Sequence, residues 1–342
     1  MINFELKDFQ TLYELFIELF GKKDFFYFDE IQNVEGWERF ARQLFDQKKK
    51  VFVTGSNASM FSKKLGTHLT GRYVEINLYP FSFTEFLKFC KVKLKRQHLY
   101  LTEHKAELKK LFVRYMLEGG FPEYLKTKNK DYLRLLYDSI LYRDIMARYG
   151  LTNERTLKEL LYISASGIAK RITFNSVKKT LGLGSTTTVK EYFNYFEESY
   201  ILSLLNKFDF SLKKQIYSPK KVYLIDTGLA INLGFRFSKD LGRLLENLVL
   251  IELKRRKKEV YYFIGNHECD FVLKEGLVVK EAIQVCYELT KDNKDREINA
   301  LLEALEKFKL KKGLILTYDQ EDSLVIGKKK IMVVPVWKWL LQ

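Results

Sequence analysis

Two short apolar runs near the N-terminus predict neighbouring strands of a parallel sheet. Phe25–Phe28 is followed directly by Asp29 and Glu30, and a second run, Val51–Val53, is followed by Thr54–Asn57. Between them, apolar residues recur with the i, i+3, i+4 spacing of a helix that packs one face on a sheet: Trp37, Phe40, Ala41, Leu44 and Phe45. Strand, helix and strand in this order form a βαβ unit, so the pattern predicts an α/β core.

The middle of the chain is predicted to be mainly helical. From about residue 81 to 149 the apolar spacing is helical and basic residues are frequent, which predicts a small helical lid domain over 91–150. Over 151–236, three helical segments precede two strand-like segments, Leu202–Phe208 and Lys221–Ile225. Three helices followed by a two-stranded hairpin is the order of a winged helix-turn-helix.

The C-terminal pattern predicts a further α/β domain over 237–342. An amphipathic helix begins at Leu241, and three strands, a helix and a strand follow at 260–264, 269–273, 282–286, 298–305 and 314–317. The chain has only four prolines and no Gly/Ser-rich stretch, which predicts short ordered connections between the domains. The predicted fold class is therefore α/β multidomain, with domains at 1–90, 91–150, 151–236 and 237–342.

The net charge of +16 over 342 residues bears on the choice of partner. Lys and Arg that neutralise phosphates release condensed counterions, so this charge favours a polyanionic partner, with a Lys-rich solvated surface as an equal alternative. Three cysteines without a CxxC pair argue against a disulfide framework and a structural zinc site. The sequence shows neither a signal peptide nor an apolar stretch that could cross a bilayer, which predicts a cytoplasmic protein with no membrane partner.

The acid pair after the first strand is the candidate catalytic centre. An Asp at the end of a buried strand can hold Mg²⁺ and the next Glu can activate water, as in a Walker B motif, so Asp29 and Glu30 are predicted in these roles. Asp also ends strands simply because it caps the next helix. Asn57, or Ser56, stands where a sensor side chain would orient the same water. Arg72 is a candidate arginine finger, with an ordinary surface salt bridge as the alternative.

Six short motifs become specific when they are taken together and in order. They are Phe28-Asp29-Glu30-Ile31-Gln32, Thr54-Gly55-Ser56, Leu69-Thr70-Gly71-Arg72, Tyr79-Pro80-Phe81-Ser82-Phe83-Thr84-Glu85-Phe86, Gly119-Gly120-Phe121-Pro122 and Leu141-Tyr142-Arg143-Asp144. This series resembles the archaeal and bacterial AAA-like P-loop ATPases that carry a winged helix and a restriction-endonuclease-like, PD-(D/E)xK, C-terminal domain. The resemblance covers nearly the whole chain, and it implies ATP and Mg²⁺ as cofactors.

The sequence departs from that family at the phosphate-binding loop. The string G-x-x-x-x-G-K-[ST], whose N–H groups and Lys hold the β- and γ-phosphates, occurs nowhere in the 342 residues, and Gly182–Ser185 is the nearest glycine-rich stretch. Ile2–Glu5 resembles the family's second strand, so the chain is expected to begin after the P-loop and to hold a partial AAA-like core. ATP hydrolysis is therefore expected to be weak or lost.

Part of a nuclease-type metal site is recognisable in the C-terminal domain. PD-(D/E)xK nucleases place an acid on a helix, an Asp on a strand and E-x-K on the next strand, so that the carboxylates bind Mg²⁺ and the Lys assists the attacking water. Glu246, Asp270 and Gln284 are the candidate metal ligands, but Cys286 stands in the Lys position. Two acids out of a four-residue set favour a retained fold used for binding over an active nuclease.

Several lysines also have predicted roles. Lys254 or Lys280 is the alternative source of the missing nuclease Lys, whereas Glu252 is expected to face solvent. A larger set clusters around the second and third helices and the wing of the predicted winged helix, which makes duplex DNA the predicted partner, with a protein partner as the alternative. That set is Lys178, Lys179, Lys190, Lys213, Lys214, Lys220 and Lys221.

Three functions remain open on these grounds. The first is an AAA-like ATP-binding protein that acts on or near DNA, with hydrolysis weakened or lost. The second is a non-catalytic DNA- or protein-binding module built on the winged helix and a degenerate nuclease domain. The third is a metal-dependent nuclease. An arginine finger that acts in trans would require at least a homodimer.

Overall fold

The computed structural model of the chain describes residues 5–31, 34–56, 71–95, 99–234 and 241–342. The chain divides into two compact units, the first made of Met1–Asn77 with Glu198–Tyr200 and the second of Leu78–Glu197 with Ile201–Gln342. The four predicted domain ranges remain predictions. Asn57 lies outside the described residues. Within the described ranges, no helix has the length and apolar character needed to pass through a bilayer.

Two parallel strands form the centre of the first unit. Strand β1 (Phe25–Phe28) pairs with β2 (Lys50–Val53) in register, from Phe25 opposite Lys50 to Phe28 opposite Val53. Helix α1 (Leu6–Phe20) precedes them, and α2 (Trp37–Asp46) connects them. The βαβ unit predicted from the sequence is confirmed.

The core of the first unit lies on one face of these strands. Four of the five predicted α2 residues are buried, beginning with the fully buried Trp37, but Phe45 is 45% exposed. Phe9 of α1 stacks on Phe40 with ring centroids 4.8 Å apart. On the opposite face of the strands, the exposed rings of Tyr27 and Phe52 stack on each other, also at 4.8 Å.

Helices predominate in the first part of the second unit, as predicted. They are α3 (Phe83–Phe89), α4 (Thr102–Glu118), α5 (Pro122–Thr127), α6 (Lys130–Ser139), a π-helical segment (Ile140–Met146), α7 (Ala147–Tyr149), α8 (Glu154–Ser166), α9 (Phe174–Thr180) and α10 (Thr186–Glu198). The π-helical segment contains the motif Leu141–Asp144, and Asp144 is buried there beside Arg143, with Arg143 Nε 3.0 Å from its Oδ1.

A three-stranded antiparallel sheet follows these helices. Its strands are β3 (Arg171–Ile172), β4 (Leu202–Leu205) and β5 (Lys220–Leu224), in the order β3-β5-β4. A short helix, α11 (Leu212–Tyr217), lies in the connection between β4 and β5. The two predicted strands are present, and the third, β3, is too short at two residues to give a sequence pattern.

A six-stranded mixed sheet forms the C-terminal part. Its order is β10-β11-β9-β8-β7-β6, with β9 parallel to both β8 and β11. The strands are β6 (Glu259–Ile264), β7 (Glu268–Glu275), β8 (Val278–Val285), β9 (Lys312–Thr317), β10 (Asp322–Ile326) and β11 (Lys329–Pro335). The helices are α12 (Thr227–Leu233), α13 (Leu241–Arg255), α14 (Lys294–Lys307) and α15 (Val336–Trp339). The predicted order of helix, three strands, helix and strand is confirmed, and β10 and β11 extend it.

One hydrophobic core runs from the helices through both sheets of the second unit. It includes Phe83, Phe193, Val222, Leu248 and Phe271. A second core lies between the six-stranded sheet and α14. The predicted ranges 151–236 and 237–342 therefore share one core, so each side of residue 236 depends on the other for burial of its apolar side chains.

Two of the six motifs meet at a buried aspartate, in what we call the Asp226 joint. Phe81 N–H donates to the Gly120 carbonyl at 2.8 Å, and Gly120 N–H donates to Asp226 Oδ2 at 2.6 Å. Leu229 N–H donates to Asp226 Oδ1 at 2.9 Å, so the aspartate also caps α12. A Cβ on Gly119 would lie 2.1 Å from Asp226 Oδ1. A side chain at position 119 would collide with Asp226, which explains why this position of the motif is glycine.

Candidate functional site

The carboxyl ends of β1 and β2 bring the predicted acid pair beside a polar turn. Thr54 Oγ1 donates to Asp29 Oδ1, and it accepts a hydrogen bond from the Glu30 N–H at 3.3 Å. Ser56 Oγ donates to Glu30 Oε2 at 3.3 Å. Glu30 has a φ of 47°, a left-handed conformation that is uncommon for a residue with a side chain. Asp29, Glu30 and Ser56 thus converge as predicted, and Thr54 joins the two strand ends.

The donor groups at this edge suit Mg²⁺. Carboxylate and hydroxyl oxygens are hard ligands, and Mg²⁺ usually binds one or two protein carboxylates together with substrate phosphates. Asp29 and Glu30 supply the carboxylates, and Thr54 and Ser56 supply the hydroxyls. A magnesium ion bound here would neutralise charge on a nucleotide phosphate.

Arg72 does not join this group within the chain. Its Nη1 lies 3.3 Å from Asp46 Oδ1, and its guanidinium lies over the Phe45 ring, 5.7 Å from the centroid. Asp46 ends α2 and precedes β2, so it lies at the end of the strands opposite to Asp29. The contact is the exposed salt bridge that the sequence left open as an alternative, and such pairs contribute about 1 kcal/mol or less.

The candidate nuclease residues surround a lysine, in what we call the Lys221 cluster. Lys221 Nζ lies 2.7 Å from Glu246 Oε1, 2.8 Å from Glu268 Oε1 and 2.9 Å from Asp270 Oδ1. The Lys221 side chain is only 2% exposed. Assignment of Lys220 and Lys221 to a DNA-binding surface was wrong, because both are buried in β5. Lys220 instead donates to the Gln215 carbonyl.

The remaining polar atoms of the cluster are turned toward internal partners. Asp270 N–H donates to Gln284 Oε1 at 3.1 Å, and Gln284 Nε2 donates to Glu297 Oε2 at 2.6 Å. The Tyr223 hydroxyl donates to Glu246 Oε1 at 2.6 Å. Across the described residues, no group of three or more His, Cys, Asp or Glu side chains is placed to hold a metal ion. Metal binding by Glu246, Asp270 and Gln284 stays a prediction, and this geometry does not fit it.

Electrostatics favour a charged lysine in the cluster. Burial alone would lower the pKa of Lys221, but the carboxylates of Asp270 and Glu246 outweigh burial and raise its pKa well above the usual value. Burial and the nearby charge of Asp270 raise the pKa of Glu246, whereas the Lys221 ammonium acts to lower it. The lysine is therefore protonated at neutral pH and serves as the cation for the three acids.

Three further residues that the sequence analysis considered for this site are exposed or have other partners: Lys254, Lys280 and Glu252. Lys254 Nζ donates to Ser203 Oγ, and Lys280 is exposed on β8. The expectation that Glu252 faces solvent was wrong: it is buried, with Arg255 at 2.9 Å and Arg256 at 2.8 Å. The physical reason is that α13 is buried on all sides over 244–253, so no position in this stretch is on a solvent-facing stripe.

Two regions of the chain match known family models. Residues 1–87, which include the acid pair, match a family model described as an AAA domain. Residues 109–240 match a model described as a domain of unknown function, DUF8612.

Comparison with curated relatives then defines the particular family. The chain belongs to the family of the uncharacterized protein MJ1544 of Methanocaldococcus jannaschii, to which it is 36% identical over 360 residues, covering 100% of this chain and 80% of that protein. An uncharacterized protein of Haemophilus influenzae is 29% identical over 348 residues, covering 99% of this chain and 82% of the relative. No solved structure matches the chain.

Proposed function

We propose that the protein is an ATPase of the AAA-like type in which Asp29 and Glu30 form the magnesium- and water-handling half of the nucleotide site. The observation that carries the proposal is the hydroxyl bridge at the strand ends, where Thr54 contacts both acids and Ser56 contacts Glu30. The match of residues 1–87 to an AAA domain supports it.

Each acid has a distinct role in this proposal. Asp29, at the end of β1, binds the Mg²⁺ of a Mg²⁺–nucleotide substrate. Glu30 accepts the proton of the attacking water. Ser56 Oγ donates to its carboxylate and orients it, and Thr54 Oγ1 accepts from its backbone N–H. No G-x-x-x-x-G-K-[ST] string occurs among the 342 residues, so the nucleotide phosphates require a grip that this half-site does not supply.

Glu30→Gln is expected to lower ATP hydrolysis by about 100-fold or more while leaving nucleotide binding intact, because the amide cannot accept the proton of water. Calorimetry with Mg²⁺–ATP and a phosphate-release assay measure the two effects, on the 342-residue chain and on a chain extended upstream by any encoded P-loop. The shorter chain is expected to bind ATP weakly.

The matched control for this experiment is Glu18→Gln, which changes an exposed glutamate on α1 of the same unit. It is expected to hydrolyse ATP at the wild-type rate. Wild-type hydrolysis by Glu30→Gln would refute the role of Glu30. Tight ATP binding by the 342-residue chain would show that a different phosphate site exists.

A second candidate function, binding of duplex DNA, is favoured by the order of elements around the three-stranded sheet. Helices α8, α9 and α10, the sheet order β3-β5-β4 and the long connection after β4 are the arrangement expected of a winged helix. Lys179 and Lys190 are exposed on α9 and α10, and Lys213 and Lys214 are exposed on the connection. We propose that these side chains contact DNA phosphates.

Replacement of Lys179, Lys190 and Lys214 together by Ala is expected to weaken duplex binding about equally for all sequences. Each lost phosphate contact lowers the slope of log affinity against log salt by about 1. Fluorescence anisotropy at several salt concentrations measures both quantities. The control replaces Lys307, Lys309 and Lys312, three exposed lysines of the C-terminal part, and removes the same charge. Equal losses of affinity in both variants would contradict the assignment of DNA binding to this surface and would favour a protein as its partner.

A further inference from the structure

We infer that the Lys221 ammonium takes the place of a divalent cation at the carboxylate cluster of the second unit, and that this internal cation fastens the three-stranded sheet to the six-stranded sheet. Lys221 projects from β5, Glu246 from α13, and Glu268 and Asp270 from β7. The proposed nucleotide site includes none of these residues.

The Lys221 ammonium has the surroundings expected of a bound cation. A lysine ammonium has three N–H donors and no acceptor. Three carboxylate oxygens lie within 2.7 to 2.9 Å of Lys221 Nζ, which donates hydrogen bonds to Glu246 and Asp270 and forms an ion pair with Glu268. Glu246 and Asp270 direct to the ammonium the oxygens that a metal ion between them would need.

The acidic side chains of the cluster require a positive charge. The buried carboxylates of Glu246 and Asp270 and the partly exposed carboxylate of Glu268 converge on one point, and they repel one another unless a cation is present. Such clusters in metalloenzymes are neutralised by Mg²⁺ or a similar ion, and here the protein supplies the cation itself. Arg171 of β3 adds a second positive charge at the rim, with its Nε 3.1 Å from Glu268 Oε2. Both cations come from the three-stranded sheet, and all three acids come from the C-terminal part.

The other candidate ligand positions agree with this reading. Gln284 bridges the Asp270 N–H and Glu297 Oε2, so its side chain serves the internal network. Cys286 is buried where the nuclease pattern requires a lysine, so this position supplies no cation. The cluster thus keeps the acids of a metal site while its cation is covalently part of the chain.

Lys221→Met tests the inference, because it removes the ammonium and keeps most of the apolar stem. Mn²⁺ alone is the probe, and its binding is measured by calorimetry and by electron paramagnetic resonance of the free ion. The wild type is expected to show no site tighter than about 1 mM. Lys221→Met is expected to gain one site with a Kd of about 0.1–1 mM, typical of weak oxygen-ligated sites, and to lose it when Asp270→Asn is added.

Thermal denaturation provides a second readout. Without metal, Lys221→Met is expected to have a Tm lower by about 10 °C, because three acids lose their cation. Mn²⁺ at millimolar concentration is expected to restore part of that loss. Lys220→Met is the control: its Nζ contacts a carbonyl and no carboxylate, so it should gain no Mn²⁺ site.

Two results would overturn the inference. Mn²⁺ binding by the wild type that disappears in Asp270→Asn would show that the lysine yields to a metal. A folded Lys221→Met protein that binds no Mn²⁺ and keeps its Tm would show that the cluster needs no cation. If Lys221→Met does not fold, the wild-type titration still decides, since it alone can reveal or exclude a native metal site.

Discussion

Gly119→Ala is expected to lower the free energy of unfolding of the second unit by about 3 kcal/mol or more. Gly119 ends α4 with φ 75° and ψ −161°, a region that residues with a Cβ rarely enter, and such strain costs about 1–3 kcal/mol. The new Cβ would also lie 2.1 Å from Asp226 Oδ1. That carboxylate cannot move away without breaking its hydrogen bonds to Gly120 and Leu229.

Urea denaturation followed by tryptophan fluorescence measures this loss. The matched control is Gly150→Ala, since Gly150 also has a positive φ, of 63°, but has no atom within 4 Å of the added Cβ. It should cost only about 1 kcal/mol, the penalty of the left-handed conformation alone. Equal losses for the two variants would show that contact with Asp226 contributes nothing.

Asp226→Ala is expected to destabilise the second unit by about 2–4 kcal/mol at low pH. The change leaves the buried N–H groups of Gly120 and Leu229 without their acceptor and removes the cap of α12. Burial raises the pKa of Asp226 to about 6, although backbone N–H groups of Gly120 and Leu229 act to lower it. The stabilising effect of the aspartate therefore depends on pH.

The direction of this pH dependence follows from the number of protons that Asp226 binds in the folded and unfolded states. Between its unfolded pKa of about 4 and its folded pKa near 6, Asp226 binds more protons in the folded state, so its contribution is complete below pH 4 and declines as pH rises through 6. The decline amounts to about 1.4 kcal/mol for each unit of raised pKa. Comparison of wild type and Asp226→Ala from pH 4 to 7 should therefore show a shrinking difference. Asp322→Ala, at an exposed site on β10, is the control. A difference that grew with pH would contradict the assignment.

The sequence predicted the local elements well because their burial is periodic. The stripe that begins at Trp37 and the two apolar runs beside it record which face is buried, so α2, β1 and β2 follow from spacing alone. Where a helix is buried on every side, the spacing of apolar residues does not predict which side chains face solvent. Glu252 lies in a helix that is covered on every side, and its charge is satisfied by two arginines that spacing cannot identify as partners.

The candidate sites differ in the same way. Asp29, Glu30 and Ser56 could be placed together because parallel strands bring their carboxyl ends to one edge. Thr54 belongs to the motif Thr54-Gly55-Ser56, but its contact with both acids depends on the direction of its side chain, which the sequence pattern does not show. Lys221 could not be assigned, because a lysine in a strand usually marks a solvated face and its acidic partners lie 25 to 49 residues away.

The Lys221 cluster also constrains how this chain can be divided or inherited. A cut near residue 236 would leave an ammonium in one fragment and its three carboxylates in the other. Hydrogen bonds between a side chain and the backbone cross the same boundary, since the Leu224 N–H donates to Asn247 Oδ1 and Asn247 Nδ2 donates to the Leu224 carbonyl. Recombination that exchanged only one of these halves with a distant relative would leave a buried charge without its partner. The two halves are therefore expected to have passed through evolution as a single module.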